Sequence, residues 1–106
     1  LQQSSAASDV YKRQGLEGEP SRLVKPLRVK GAPIHLECKY MQSVQMPCWR
    51  EGKENWVIFG EVVGIHVDPK IVKDGFVDVT IYKPVSRLGY MEYSATDEVF
   101  QMDRPD

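Results

Sequence analysis

From residue 34 onward the chain alternates between apolar and polar positions. Ile34, Leu36, Cys38 and Tyr40 share one face, and His35, Glu37 and Lys39 share the other. A period of two predicts a half-buried strand, continuing to about Val44. Residues 45–53 carry Met46-Pro47-Cys48 and Glu51-Gly52-Lys53, which predicts a hairpin loop. Residues 56–67 form the next strand. Val57, Phe59, Glu61, Val63, Ile65 and Val67 alternate with Trp56, Ile58, Gly60, Val62, Gly64 and His66. Both faces are largely apolar, the pattern of a central strand covered on both sides. Gly60 and Gly64 fall on one face and mark a bend, a bulge or the close approach of another group. Glu61 is a carboxylate among apolar neighbours. If buried it needs a partner, a structural hydrogen bond or a salt bridge within a dimer, with a catalytic acid as the alternative.

Turn chemistry punctuates the rest. Pro20, Pro26 and Pro33 keep residues 15–33 from forming a long helix, so this segment is expected to be a surface loop, with one short turn after Pro20. Asp68-Pro69 and Lys73-Asp74-Gly75 predict turns. Asp78 is a candidate N-cap for a short helix from Val79 to about Lys83, ended by Pro84. Residues 98–102 alternate Val99 and Gln101 against Phe100 and Met102 and predict a last strand. Residues 1–14 (LQQSSAASDVYKRQ) have no hydrophobic periodicity, no initiator Met and no signal-peptide pattern. They read as a non-native, adapter-derived segment or a disordered tail. On the adapter reading, residues 15–106 are the C-terminal part of a longer domain.

Composition narrows the class. The chain's 106 residues, 42% of them hydrophobic, are enough for one small domain. Fourteen basic and 15 acidic residues leave a net charge of -1, without the basic excess of a nucleic-acid binder or a polybasic membrane anchor. No apolar run approaches the roughly 20 residues of a membrane span. Two cysteines, Cys38 and Cys48, are too few for a disulfide framework and lack zinc-ligand spacing. Cys38 reads as a small core hydrophobe, and Cys48, beside Trp49 and Arg50, as an exposed thiol.

Candidate chemistry is sparse. There is no nucleotide-binding glycine motif and no nucleophile elbow. Of the two histidines, His66 is the better functional candidate, because it ends a strand beside Asp68; an ordinary sheet residue is the alternative. Arg87, next to Gly89, fits either a phosphate or a surface salt bridge. Tyr90 and Tyr93 fit either stacking on a flat ring or packing. Taken alone, the residues describe part of a soluble β domain with one or two short helices.

Three segments taken together say more. They are PSRLVKP at 20–26 with APIHLECKY at 32–40, WVIFGEVVGIHVD at 56–68 followed by KDG, and KPVSRLGYMEYSATDEVFQMDRP at 83–105. In order and spacing they resemble the C-terminal half of the flavin reductase-like, FMN-binding split-barrel family, over nearly all of residues 15–106. The resemblance implies a mainly β fold, a partial FMN-binding split β-barrel. It implies a cytoplasmic homodimer with FMN near the subunit interface, NAD(P)H as hydride donor, and a monooxygenase as a possible recipient of reduced flavin. Most family contacts to the flavin lie upstream of the matched segments. Within them, several family members carry Gly-Asp-His just before the FGEV-type strand, where this chain has Lys53-Glu54-Asn55. Asn55 and Trp56 are therefore the positions expected near the nicotinamide or flavin, with Asn55 in place of the histidine. Arg87, Gly89, Tyr90 and Tyr93 match a signature of the longer subgroup and are expected near the flavin. The resemblance requires no side-chain acid or base. Two other readings remain: an FMN-binding carrier or sensor without turnover, and a β-barrel interaction module that binds no flavin.

Overall fold

A computed structural model describes residues 14–106. The tail assigned to residues 1–14 lies, apart from Gln14, outside the described residues. Contacts divide the chain into two units, one ending at His66 and the other running from Val67 to Asp106. Every sheet among the described residues has two strands, and no barrel closes among them. No helix among them is long and apolar enough to cross a membrane.

The first unit begins with a small antiparallel ribbon, β1 (Gly18–Glu19) against β2 (Arg28–Val29). Its register sets Glu19 opposite Arg28, and their side chains meet at 3.5 Å. Such a part-exposed pair adds at most about 1 kcal/mol. Between the two strands the chain bends through residues 22–26, and Ser21 Oγ closes the loop by donating to the Pro26 carbonyl at 2.6 Å. Two long strands follow and pair in one sheet: β3 (Ile34–Met46) and β4 (Asn55–Val67). The alternating pattern predicted both. β3 extends two residues past the expected end, because Gln45 and Met46 still pair before Pro47 stops the ladder.

The strand glycines serve close approach, as the pattern suggested. A Cβ on Gly64 would stand 3.2 Å from Leu23 Cδ1, and one on Gly60 would stand 3.2 Å from Cys38 Cβ.

Burial differs from the expectation. Leu36, Tyr40, Trp56, Val57, Phe59, Val62 and Ile65 are exposed, and Ile58 is 70% exposed. With only two strands in the sheet, these side chains of β4 find no covering layer among the described residues. Cys38 is exposed rather than in a core, and Cys48 is half-buried rather than exposed. Glu61 is exposed, so it needs no buried partner. The buried carboxylate is Glu37, 3% exposed, on the polar face of β3.

In the second unit, Asp68 Oδ1 accepts the Lys70 N–H at 2.9 Å and opens a 3-10 turn over Pro69–Ile71. Ile71, 5% exposed, is the one buried hydrophobic side chain among the described residues. β5 (Val72–Lys73) and β6 (Phe76–Val77) form a hairpin across Asp74 and Gly75, both at positive φ (53° and 80°). That is the geometry an Asp-Gly pair favours. A Cβ on Gly75 would meet nothing within 4 Å, so Gly75→Ala is expected to cost about 1 kcal/mol from backbone strain alone. The check is a lower urea midpoint at unchanged m-value; an unchanged midpoint contradicts it.

The predicted helix is present as α1 (Val79–Tyr82). Asp78 caps it by accepting the Thr80 N–H at 2.9 Å and the Thr80 hydroxyl at 2.6 Å. These bonds hold the Asp78 carboxyl below its ordinary value. Lys83 closes the helix in the left-handed region at φ 49°, and Pro84 prevents continuation. β7 (Val85–Arg87) then pairs with β8 (Tyr93–Ala95). The strand expected at 98–102 is not formed. The last strand is β8, and the chain after it has no regular structure.

Candidate functional site

Four of the expected site residues come together in the β7–β8 hairpin. The register sets Arg87 directly opposite Tyr93. Gly89 and Tyr90 lie in the connecting turn, which is closed by Leu88 N–H to the Glu92 carbonyl at 2.9 Å and Glu92 N–H to the Gly89 carbonyl at 3.1 Å. Tyr90 occupies the left-handed region at φ 57° and is 94% exposed. A tyrosine in that conformation carries strain, and its ring is free to meet a flat partner. Of the two readings of Arg87, the salt bridge is not made with any carboxylate among the described residues.

Asn55 and Trp56 open β4 in the other unit. The Asn55 amide donates to the Pro47 carbonyl at 3.1 Å, tying the ends of the loop together. Trp56 Nε1–H donates to Glu54 Oε2 at 3.1 Å. At the same loop the Arg50 guanidinium lies over the Trp49 ring, 4.9 Å from its centroid, a cation–π contact.

The sequence did not single out Glu37. Its carboxylate takes the Arg22 N–H on both oxygens, at 3.1 and 3.0 Å, and the Leu23 N–H at 2.6 Å. His66 Nε2 meets its other side. The backbone N–H groups of Arg22 and Leu23, then the His66 side chain, pull the Glu37 carboxyl down to about 2. The one signal available was the polar face of β3, where His35 and Glu37 alternate with apolar residues. His66, the histidine favoured because it ends a strand beside Asp68, has Glu37 as its hydrogen-bond partner. His35 stands edge-on to His66, ring centroids 6.0 Å apart, and hydrogen-bonds the Val29 carbonyl.

Two cavities flank this carboxylate. One of about 440 Å³ lies between residues 21–32 and the start of β3, walled by Val24, Leu27, Ile34 and Leu36 with Arg28 and His35 at its edge. The other, about 250 Å³, is lined by Arg22, Leu23, Glu37, Gly64, Ile65 and His66.

The donor set of the β7–β8 hairpin fits a flavin nucleotide. Arg87 offers a fork of N–H donors to a phosphate, Gly89 leaves space beside the backbone, and the exposed rings of Tyr90 and Tyr93 present flat apolar faces.

Comparison with known proteins places the fold. No family model matches the chain. An uncharacterized protein from Halalkalibacterium halodurans is 36% identical over 93 residues, 86% of this chain and 44% of its own length. An uncharacterized protein from Aquifex aeolicus is 33% identical over 84 residues, 78% of this chain and 40% of its own. The chain thus spans less than half the length of these relatives. Among solved structures, nitrilotriacetate monooxygenase component B from Bacillus cereus superposes with a TM-score of 0.77 at 24% identity, covering 87% of this chain and 46% of that one. The 2-nitrobenzoate 2-nitroreductase of Pseudomonas fluorescens superposes with a TM-score of 0.73 at 25% identity, covering 90% and 47%. The chain is mainly β, with very few helices, and its fold is flavin reductase-like.

Proposed function

We propose that this chain is part of an FMN-binding, flavin reductase-like oxidoreductase that passes hydride from NAD(P)H to flavin. The observation that carries the reading is the fold shared with two proteins named as redox enzymes or their components. When bound, the flavin supplies the two-electron acceptor that no side chain provides. The residues of this chain bind and orient. Arg87 pairs with the flavin phosphate, the Tyr90 and Tyr93 rings cover the ring system and exclude water, and Gly89 keeps the turn low enough for contact. Trp56 and Asn55 contribute at the nicotinamide side. In this reading the protein is a cytoplasmic homodimer, and a monooxygenase receives the reduced flavin. The exposed apolar faces of β3 and β4 support an oligomer, because contiguous apolar surface of this kind marks an interaction surface.

A second reading is favoured by one residue. The Asn55 amide is committed to the Pro47 carbonyl, which leaves it less free to hold a nicotinamide. A flavin carrier without turnover needs no such contact.

The test is titration of the whole protein with FMN, followed by flavin fluorescence, then by NADH and NADPH oxidation. Saturable quenching with nucleotide oxidation is the expected outcome. Quenching without oxidation moves the carrier reading forward, and no binding of FMN or FAD leaves a non-flavin interaction module. Arg87→Ala is expected to weaken FMN binding by roughly 10- to 100-fold through loss of charge-assisted hydrogen bonds. An unchanged affinity removes Arg87 from the site.

A further inference from the structure

Glu37 is the one buried charged side chain among the described residues, and the proposed flavin chemistry does not use it. The carboxylate is ionised, so it can only accept hydrogen bonds. In a neutral ring the His66 Nε2 that meets it carries the proton, and Nδ1 keeps the lone pair. Nδ1 has no hydrogen-bond partner among the described residues. No unpaired polar side-chain atom of a buried or half-buried residue is sealed from solvent among them. His66 itself is 20% exposed, so the free nitrogen is open. A carboxylate that holds one ring nitrogen and leaves the other accessible sets the tautomer, fixes the ring plane and makes the free nitrogen a better acceptor.

The surroundings say what this nitrogen can meet. His66 lines the cavity of about 250 Å³ together with Arg22, Leu23, Gly64 and Ile65. Its volume is below the usual range for drug-sized ligands, which limits it to a small ligand. Arg22 forms no ion pair among the described residues. The Glu37 oxygens are already occupied by two backbone N–H groups and the His66 ring. His35 does not compete, because its ring nitrogens face the Val29 carbonyl and the Arg28 guanidinium. The absence of a side chain at Gly64 lets Leu23 pack closely against β4, since a Cβ there would stand 3.2 Å from Leu23 Cδ1.

We propose that this cavity is a binding site for a small anion carrying a neighbouring hydroxyl or N–H group. His66 Nδ1 accepts the ligand's hydrogen bond, Arg22 pairs with its negative charge, and Glu37 is the positioning residue. The site is built from residues of the first unit alone, and its reading does not rest on flavin binding.

The experiment uses the whole protein with nitrogen-15-labelled histidine, lactate as probe and acetate as the control that lacks the hydroxyl. The His66 ring is expected in the Nε2–H form. Lactate should shift its Nδ1 resonance saturably, and acetate should bind at least tenfold more weakly. Arg22→Ala should weaken lactate at least tenfold while leaving the tautomer unchanged. Glu37→Gln should lose both the tautomer preference and lactate binding, and Glu37→Asp should recover part of each. If the glutamine variant does not fold, the wild-type spectrum alone decides: a Nδ1–H tautomer overturns the proposal. So does equal affinity for lactate and acetate, or a lactate shift at His35 as large as that at His66.

Discussion

Replacing Glu37 with glutamine is expected to lower the thermal midpoint of the whole protein at pH 7 by about 5 °C or more, the largest effect of any polar substitution in the chain. The carboxylate accepts N–H groups from Arg22, Leu23 and His66 at once. An amide has one acceptor oxygen, and its NH2 would face another donor in a site that is 3% exposed. At least one N–H loses its partner, and buried groups left unpaired carry the full cost of desolvation. The loss also releases the bend at residues 22–26 from β3, since no other side-chain bond ties Arg22 or Leu23 to that strand among the described residues. The pH dependence has a definite sign. Glu37 is ordinarily half-protonated near 4.5 and is held down at about 2 in the fold. Its contribution is therefore complete above about pH 4.5 and is lost as the pH falls toward 2. The gap between wild type and Glu37→Gln should be widest at neutral pH and should close between pH 4.5 and 2. Thermal melts across that range check it. A gap that stays constant down to pH 2 would mean that the carboxylate is not ionised in this role.

The contrast between Glu37 and Glu61 shows what was legible in the sequence. Local chemistry was legible. Asp78 and Pro84 bracket a helix as their capping and breaking properties require, Asp74-Gly75 makes its turn, and the period-two runs become β3 and β4. Burial was not legible. Glu61 has apolar neighbours in sequence and is exposed, whereas Glu37 sits between Leu36 and Cys38 on a polar face and is buried. What covers a strand face is decided by other segments, here residues 22–26 folding over the start of β3, and alternation carries no information about them. The hairpin at 85–95 was missed for a related reason. Its turn contains Tyr90 at positive φ, a conformation that sequence rules assign to Gly, Asn or Asp. Residues 98–102 alternate like a strand but find no partner among the described residues, and alternation without pairing does not make one.

Ile71→Ala is expected to destabilise the second unit by about 2–4 kcal/mol, the range for removing a buried branched side chain and leaving a cavity. Ile71 is the only large apolar side chain among the described residues that is almost wholly removed from water, so no neighbouring core is available to close around the loss. Its backbone is committed as well. The Ile71 N–H donates to the Asp68 carbonyl at 3.1 Å, and its own carbonyl accepts the Asp78 N–H at 2.8 Å. The side chain thus anchors the point where the 3-10 turn meets the start of α1. From α1 the chain runs through Lys83 into Pro84, whose carbonyl accepts the Thr96 N–H at 3.1 Å and closes the base of the hairpin that carries Arg87 and Tyr93. Loosening Ile71 should therefore reach the hairpin through α1. Hydrogen exchange at Leu88 and Glu92 should speed up, and FMN affinity should fall by less than it does for Arg87→Ala, since no group that touches the flavin is removed. Ile71→Val, one methyl smaller, should cost only about 0.5–1.5 kcal/mol, and Phe76→Ala, at a side chain already 77% exposed, under about 0.5 kcal/mol. An Ile71→Ala protein as stable as the Phe76→Ala protein would show that the second unit draws its stability from somewhere other than this side chain.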